Sequence, residues 1–144
     1  MSTLERAIAI AAQAHTGQLD KGGQPYILHP LRVMLRVTGV PERIAAVLHD
    51  VVEDSPVTLD DLRAEGFGQD VLDGLEALTK RPGETRIEAA HRAARNRIAR
   101  TVKLADNAEN LDLSRIVEPT AKDRERLAEY ARVREVLLAP VKLD

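Results

Sequence analysis

The sequence predicts an all-α protein, a single compact helical bundle covering residues 1–144. Three observations predict it. Apolar residues recur at three- and four-residue spacing in most segments. No segment shows convincing strand-like alternation. The breaks fall at Gly, Pro and helix-capping residues, which set off helical lengths with short turns between them. There is no internal repeat, low-complexity tract or long linker.

Each element follows from local chemistry. Ser2 or Thr3 is placed to cap a first helix running to about His15, with Leu4, Ala7, Ile8, Ala11, Ala12 and Ala14 on its apolar side. A polar loop, Thr16 to Pro25, carries Gly17, Gly22 and Gly23. A second helix is expected from about Ile27 to Thr38, ending near Gly39. Pro41 suits the first turn of a third helix, Glu42 to about Asp54, which buries Ile44, Val47, Leu48, Val51 and Val52 and stops before Pro56. Thr58 to Asp61 reads as a cap and first turn of a short helix ending at Gly66. A fifth helix covers Gln69 to Thr79 and breaks at Arg81-Pro82-Gly83. A weakly amphipathic helix follows from Glu84 to about Arg95, with Asn96 as a join. Arg97 to Leu113 and Thr120 to Leu138 give the last two helices. The final helix, with Leu127, Tyr130, Ala131, Val133, Val136, Leu137 and Leu138, packs on the core or on a second subunit, which makes a homodimer one of the two expectations.

Composition narrows the function. With 44% hydrophobic and 31% charged residues in 144, the chain can bury a core and does not read as disordered. The absence of cysteine removes disulfide and thiolate chemistry, so a metal would be held by His, Asp or Glu. Mixed charges with a formal net of −2 do not make a surface for a nucleic-acid backbone, although a local basic pocket for a small anion stays open. The three aromatic residues, Tyr26, Phe67 and Tyr130, leave an aliphatic core and no base-stacking platform. No apolar run approaches the roughly 20 residues of a membrane helix. The N-terminus reads as an ordinary amphipathic helix rather than a signal peptide. A cytoplasmic location is the expectation.

The chemistry gathers in Leu48-His49-Asp50-Val51-Val52-Glu53-Asp54. His49 and Glu53 are four apart, as are Asp50 and Asp54, so on a continuous helix one face carries an imidazole and three carboxylates beside an apolar stripe. Crowded acids repel and are easier to tolerate around a cation. His29 precedes Pro30 in the second helix, and Asp106 and Asn110 share a face of a late one, flanked by Val102, Leu104 and Ala105. His29, His49, Asp50 and Asp106 can therefore converge on one metal. Two imidazoles and two carboxylates suit Mn, Fe or Zn better than Mg or Ca. A metal with an open position lowers the pKa of a water and directs it at phosphorus, while Glu53 and Asp54 orient that water or move protons. Each piece alone has a plainer reading: a chance His-Asp pair, a histidine packed at a helix edge, an acid paired with Lys103. Their combination, PYxxHP, then HD with ED one turn on, then KLADxxxN, is specific.

At these residues the sequence resembles the HD-domain small alarmone hydrolases, relatives of the hydrolase half of the RelA/SpoT-homologue enzymes. The matching stretches are AHTGQ (Ala14 to Gln18), DKGGQPYILHP (Asp20 to Pro30), AAVLHDVVEDS (Ala45 to Ser55), LTK (Leu78 to Lys80) and VKLADNAENL (Val102 to Leu111). They lie in the family's order. The resemblance implies metal-assisted removal of the 3′-pyrophosphate of (p)ppGpp, giving GDP or GTP, with Mn²⁺ as the usual metal. It makes His29, His49, Asp50 and Asp106 the metal ligands, Glu53 and Asp54 the catalytic acids, and Asn110 a substrate-side or supporting residue. Lys21 matches the family's basic loop, and a lysine on a glycine-rich loop is a plausible point charge for phosphate. Synthesis of the alarmone is not expected.

The chain departs from the family pattern at Asp20, where an arginine is common, and at Asp112 and Leu113, where a basic residue and a hydroxyl often follow the asparagine. These positions concern the substrate and leave three readings: a (p)ppGpp hydrolase, an HD phosphohydrolase acting on NADPH or ppApp, or a catalytically silent nucleotide sensor. The intact ligand set argues against the third.

Other residues carry paired readings. His15 closes a helix, where a cation suits the dipole, or makes a supporting contact to the site. His91 reads as solvent-exposed. Lys80, Arg81, Arg95, Arg97 and Arg100 are solvated helix faces or a phosphate-binding rim. Lys103 pairs with a site carboxylate or meets a substrate phosphate. Tyr26 stacks or hydrogen-bonds near His29, or anchors the core.

Overall fold

Threonines and an asparagine cap five of the described helices. In the computed structural model, which describes residues 2–112 and 120–140, Leu4–Ala14 forms α1, and Thr3 caps it by accepting the Arg6 N–H at 3.1 Å. Then follow α2 (Leu28–Arg36), α3 (Val40–Leu48), α4 (Val51–Asp54), α5 (Leu59–Ala64), α6 (Gln69–Leu78), α7 (Arg86–Ala94), α8 (Arg97–Asn110) and α9 (Ala121–Leu138). Thr58, Thr85 and Thr120 form reciprocal capping boxes with Asp61, Glu88 and Asp123, and Asn96 caps α8 through the Ala99 N–H. Each cap satisfies donors that a helix start leaves unpaired. Among the described residues there is no strand, only an isolated antiparallel bridge between Leu19 and Pro25. No described helix is long and apolar enough to cross a membrane.

Helix α3 is the central rod. Its residues Ile44 to Leu48 are all buried, as expected for a helix packed on several sides, here by α1, α2, α6 and α8. The main core is aliphatic apart from Phe67. A smaller cluster of Ala90, Ala94, Val133 and Leu137 joins α7 to α9. Part of α9 is thus covered within this chain, whereas Leu127 and Tyr130, read from sequence as packing residues, line a cleft.

The expected third helix from Glu42 to Asp54 is instead two, α3 and α4, separated by a turn at His49 and Asp50. In an unbroken helix the Ala46 carbonyl would accept the Asp50 N–H. Here it accepts His49 Nδ1 at 2.5 Å and the His49 N–H at 3.5 Å. The imidazole takes the place of the helical bond, and Asp50 settles at φ −99°, ψ −4°. Gly39 also differs from expectation: α2 stops at Arg36, and Gly39, at φ +83°, begins α3 with Pro41 in its first turn. That left-handed backbone favours glycine.

Two features fix the frame around the site. The Glu109 carboxylate on α8 accepts from Arg36 Nε at 2.7 Å and Arg32 Nε at 3.2 Å on α2. In the loop between α1 and α2, Asp20 Oδ1 accepts the N–H groups of Gly22 and Gln24, both at 2.9 Å. Asp20 is therefore a turn-forming residue, and its turn presents Lys21.

Candidate metal centre

Three parts of the chain deliver the centre. His29 comes from the first turn of α2, His49 and Asp50 from the turn between α3 and α4, and Asp106 from the middle of α8. His29, His49 and Asp106 are each 5% exposed. His29 Nε2 lies 2.8 Å from Asp106 Oδ1, and His49 Nε2 lies 3.4 Å from that same oxygen and 3.1 Å from Asp50 Oδ2. His29, His49 and Asp50 offer donor atoms all within 4.8 Å of one another, and Asp106 adjoins both imidazoles. Around them, the Tyr26 hydroxyl donates to Asp50 Oδ2 at 2.5 Å, Lys103 Nζ to Asp106 Oδ2 at 3.1 Å, and Asn110 Nδ2 to Asp106 Oδ1 at 3.4 Å.

The electrostatics ask for a cation. His49 Nδ1 is committed to the Ala46 carbonyl, so its buried Nε2 faces the Asp50 and Asp106 carboxylates, and no hydrogen bond of good geometry satisfies that atom among the described residues. Burial pushes the His49 pKa down, but the neighbouring Asp50 and Asp106 carboxylates outweigh it and hold it well above the ordinary value. Burial likewise pushes the Asp50 carboxyl up, and the neighbouring His49 brings it down to about 2. Asp106 is held well below the usual range because Lys103 and the two histidines outweigh its burial. The Tyr26 hydroxyl is driven up by burial and by Asp50, so it stays a donor. Two ionised carboxylates, two imidazoles and an orphaned imidazole nitrogen fit a divalent cation of the N/O-binding kind.

The centre opens into a cleft with two lobes that share Tyr26, His29, Asn110 and Tyr130. One lobe, about 360 Å³, is walled by Asp50, Glu53, Lys80, Arg86, Lys103, Asp106 and Asn107. The other, about 300 Å³, is walled by Leu19, Asp20, Lys21, Asp112, Asp123, Arg126 and Leu127. Glu53 lines the first lobe, and its carboxylate accepts the Lys80 N–H at 2.5 Å. Burial raises its pKa. Asp54, whose pKa burial and Asp50 also raise, keeps its helical bond to the Asp50 carbonyl at 2.9 Å but is not among the residues lining either lobe. Lys21 reaches Asp123 of α9 at 3.6 Å. Lys103, pulled up by Asp106, is a charged group between the centre and the first lobe. Leu113 lies outside the described residues.

The plainer readings also resolve by position. His15 is buried, bonds Gln18 through Nδ1 at 2.8 Å, and meets the Tyr26 ring edge-on at 5.0 Å between centroids. It supports the tyrosine that holds Asp50. Lys80 is on the cleft wall, whereas Arg100 caps α9 through the Leu137 carbonyl at 2.6 Å. His91, Arg95 and Arg97 are exposed. Sequence reasoning missed Arg86 and Asn107 as cleft residues. Arg86 shares its face with Ala89 and Ala93, three and seven residues on, and that spacing was the available signal.

Fold and site together define an all-helical domain with a buried candidate centre for a divalent cation. Comparison with known proteins makes this particular: a family model described as an HD domain matches residues 7–104, and the chain belongs to that family. It is 34% identical to a probable GTP pyrophosphokinase of Mycobacterium leprae over 98% of this chain and 19% of that protein. It is also 34% identical to a guanosine-3′,5′-bis(diphosphate) 3′-pyrophosphohydrolase of Vibrio cholerae over 86% of this chain and 20% of that protein. The chain thus spans about a fifth of the length of these curated relatives. A solved structure described as a metazoan ortholog of SpoT that hydrolyzes ppGpp and plays a role in starvation responses superposes with a TM-score of 0.80 at 26% identity, over 96% of this chain and 87% of that one.

Proposed function

We propose that residues 1–144 form a metal-dependent phosphohydrolase domain that removes the 3′-pyrophosphate of (p)ppGpp, giving GDP or GTP and pyrophosphate. The observation that carries it is the buried meeting of His29, His49, Asp50 and Asp106 at the floor of a cleft walled by Lys80, Arg86 and Lys103. Relatives named as 3′-pyrophosphohydrolases support the substrate class. The four residues would hold Mn²⁺, which supplies Lewis acidity toward a phosphoryl group and lowers the pKa of water.

The chain's own residues divide the remaining work. Water adds to the phosphorus borne by the 3′ oxygen, the bond between them breaks, and the 3′ oxygen leaves with a proton. Glu53, on the cleft wall with a raised pKa, takes the proton from water, with Asp54 as the second acid of the pair. Lys103 faces the phosphates while holding Asp106, and Tyr26 fixes Asp50. Lys21 and Asn110 border the second lobe, where the nucleoside rests. The cytoplasm is the location this reading implies.

A second reading, hydrolysis of ppApp or of the NADPH 2′-phosphate, is favoured by one observation. Asp20, Asp112 and Asp123 outnumber Lys21 and Arg126 around the second lobe, which places negative charge in the path of a highly anionic nucleotide. Incubation with ppGpp, ppApp and NADPH, with Mn²⁺ and with chelator, separates the two. Mn²⁺-dependent release of pyrophosphate from ppGpp is expected; turnover of NADPH or ppApp alone moves the substrate to the second reading. Asp50→Ala is expected to abolish turnover and Mn²⁺ retention while the far-UV circular dichroism stays helical. Unchanged activity removes Asp50 from the centre.

A further inference from the structure

One side chain outside the cleft holds the segment against which Glu53 rests. Arg92, on α7, donates through Nη1 to the carbonyls of Glu76 and Ala77 at 3.0 and 3.2 Å, and through Nη2 to that of Thr79 at 2.6 Å. The Ala77 and Thr79 carbonyls lie past the last helical N–H of α6, while that of Glu76 also accepts the Thr79 N–H at 3.3 Å. The same guanidinium grips Glu84 in a two-pronged pair, Nε to Oε2 at 3.0 Å and Nη2 to Oε1 at 2.9 Å. Glu84 Oε1 also accepts the Arg81 N–H at 2.9 Å, which closes the loop after α6.

The Thr79 carbonyl is half of a peptide unit whose other half is the Lys80 N–H, and that N–H donates to Glu53 Oε1. A peptide unit is planar. Fixing its oxygen with a guanidinium therefore fixes where its N–H points, and the positive charge at the oxygen end polarises the donor at the other. We propose that Arg92 is a positioning residue for Glu53, acting through the Thr79–Lys80 peptide. The inference rests on the reading of Glu53 as the acid–base group. Arg92 is not among the residues lining either lobe, and its side chain is 18% exposed.

The test uses the full chain. In ¹⁵N–¹H spectra with diamagnetic Zn²⁺, the Lys80 amide proton is expected downfield in the wild type and moved upfield in Arg92→Lys, toward its position in Glu53→Gln. In Mn²⁺-dependent hydrolysis of ppGpp, Arg92→Lys is expected to lower kcat about 10- to 100-fold, the scale of a small misplacement, with KM unchanged. In a Glu53→Gln background the same substitution is expected to cost nothing further, whereas a merely structural role lowers both backgrounds alike. An unmoved Lys80 amide, or equal losses in both backgrounds, overturns the proposal. If Arg92→Lys does not fold, Glu84→Gln removes the other side of the grip and is read in the same way. A wild type that turns over no nucleotide sinks the functional reading and leaves the amide shift to decide the positioning role by itself.

Discussion

Glu84 is the residue whose charge the fold uses most plainly outside the centre. Its bonds to Arg92, and then to the Arg81 N–H, hold its carboxyl at about 2, against an ordinary 4.5. A carboxyl whose pKa is lowered by folding contributes stability above its unfolded value and loses it as pH falls toward its folded one. The contribution of Glu84 is thus present above about 4.5 and drains away toward about 2. Urea unfolding between pH 6 and 3 is expected to show a shallower acid decline in Glu84→Gln than in the wild type. Equal slopes would mean that the pair with Arg92 is not held in solution. Glu53 has the opposite sign: burial raises its pKa, so ionising it costs stability as pH rises past the ordinary 4.5. Residues of this kind were only partly legible. The His-Asp pair and its two acids stand out in sequence because their spacing is local, and the late aspartate because its asparagine follows one turn on. The grip of Arg92 on Glu84 and three carbonyls is not written in any spacing, because the α6 end, the loop and α7 meet only after folding.

At the scale of elements, caps and breakers marked most helices well, since Thr58, Asn96 and Thr120 act on their own neighbours, whereas the cap at Thr85 falls inside the helix expected from Glu84. The break at His49 was invisible because it arises when an imidazole competes for a backbone carbonyl, and helical periodicity carries no trace of that. The approach of α6 to α8 is another long-range fact. A Cβ on Gly74 would lie 2.9 Å from Ile98 Cγ2 and 3.2 Å from Ile98 Cβ, and a β-branched side chain has little freedom to yield. Alanine in a helix gains about 1 kcal/mol over glycine, while overpacking costs about 1–3 kcal/mol. Gly74→Ala is expected to destabilise by about 1 kcal/mol net in urea titration. A variant as stable as the wild type would show that the two helices separate without cost.

Across the whole molecule, the centre joins segments far apart in sequence, since His29 and Asp106 stand 77 residues from one another. A cation that binds only the folded arrangement stabilises it by mass action, by about 2.7 kcal/mol at a hundredfold excess over Kd. For a chain of this size Mn²⁺ is then expected to raise Tm by roughly 5–10 °C, an effect abolished in Asp50→Ala. A Tm indifferent to Mn²⁺ would place the cation elsewhere or nowhere. The all-helical class was legible at this scale because no segment alternates as a strand does. The two-lobed cleft was not, because its walls come from the loop before α2, the turn at Asp50, the end of α6 and faces of α7, α8 and α9. That division has a consequence for descent. Tyr26 apart, the loop before α2 and the face of α9 shape the second lobe without touching the centre, so substitutions there alter what is admitted and spare the chemistry. Mutation can explore new substrates along one stretch of chain while selection preserves the chemistry in another.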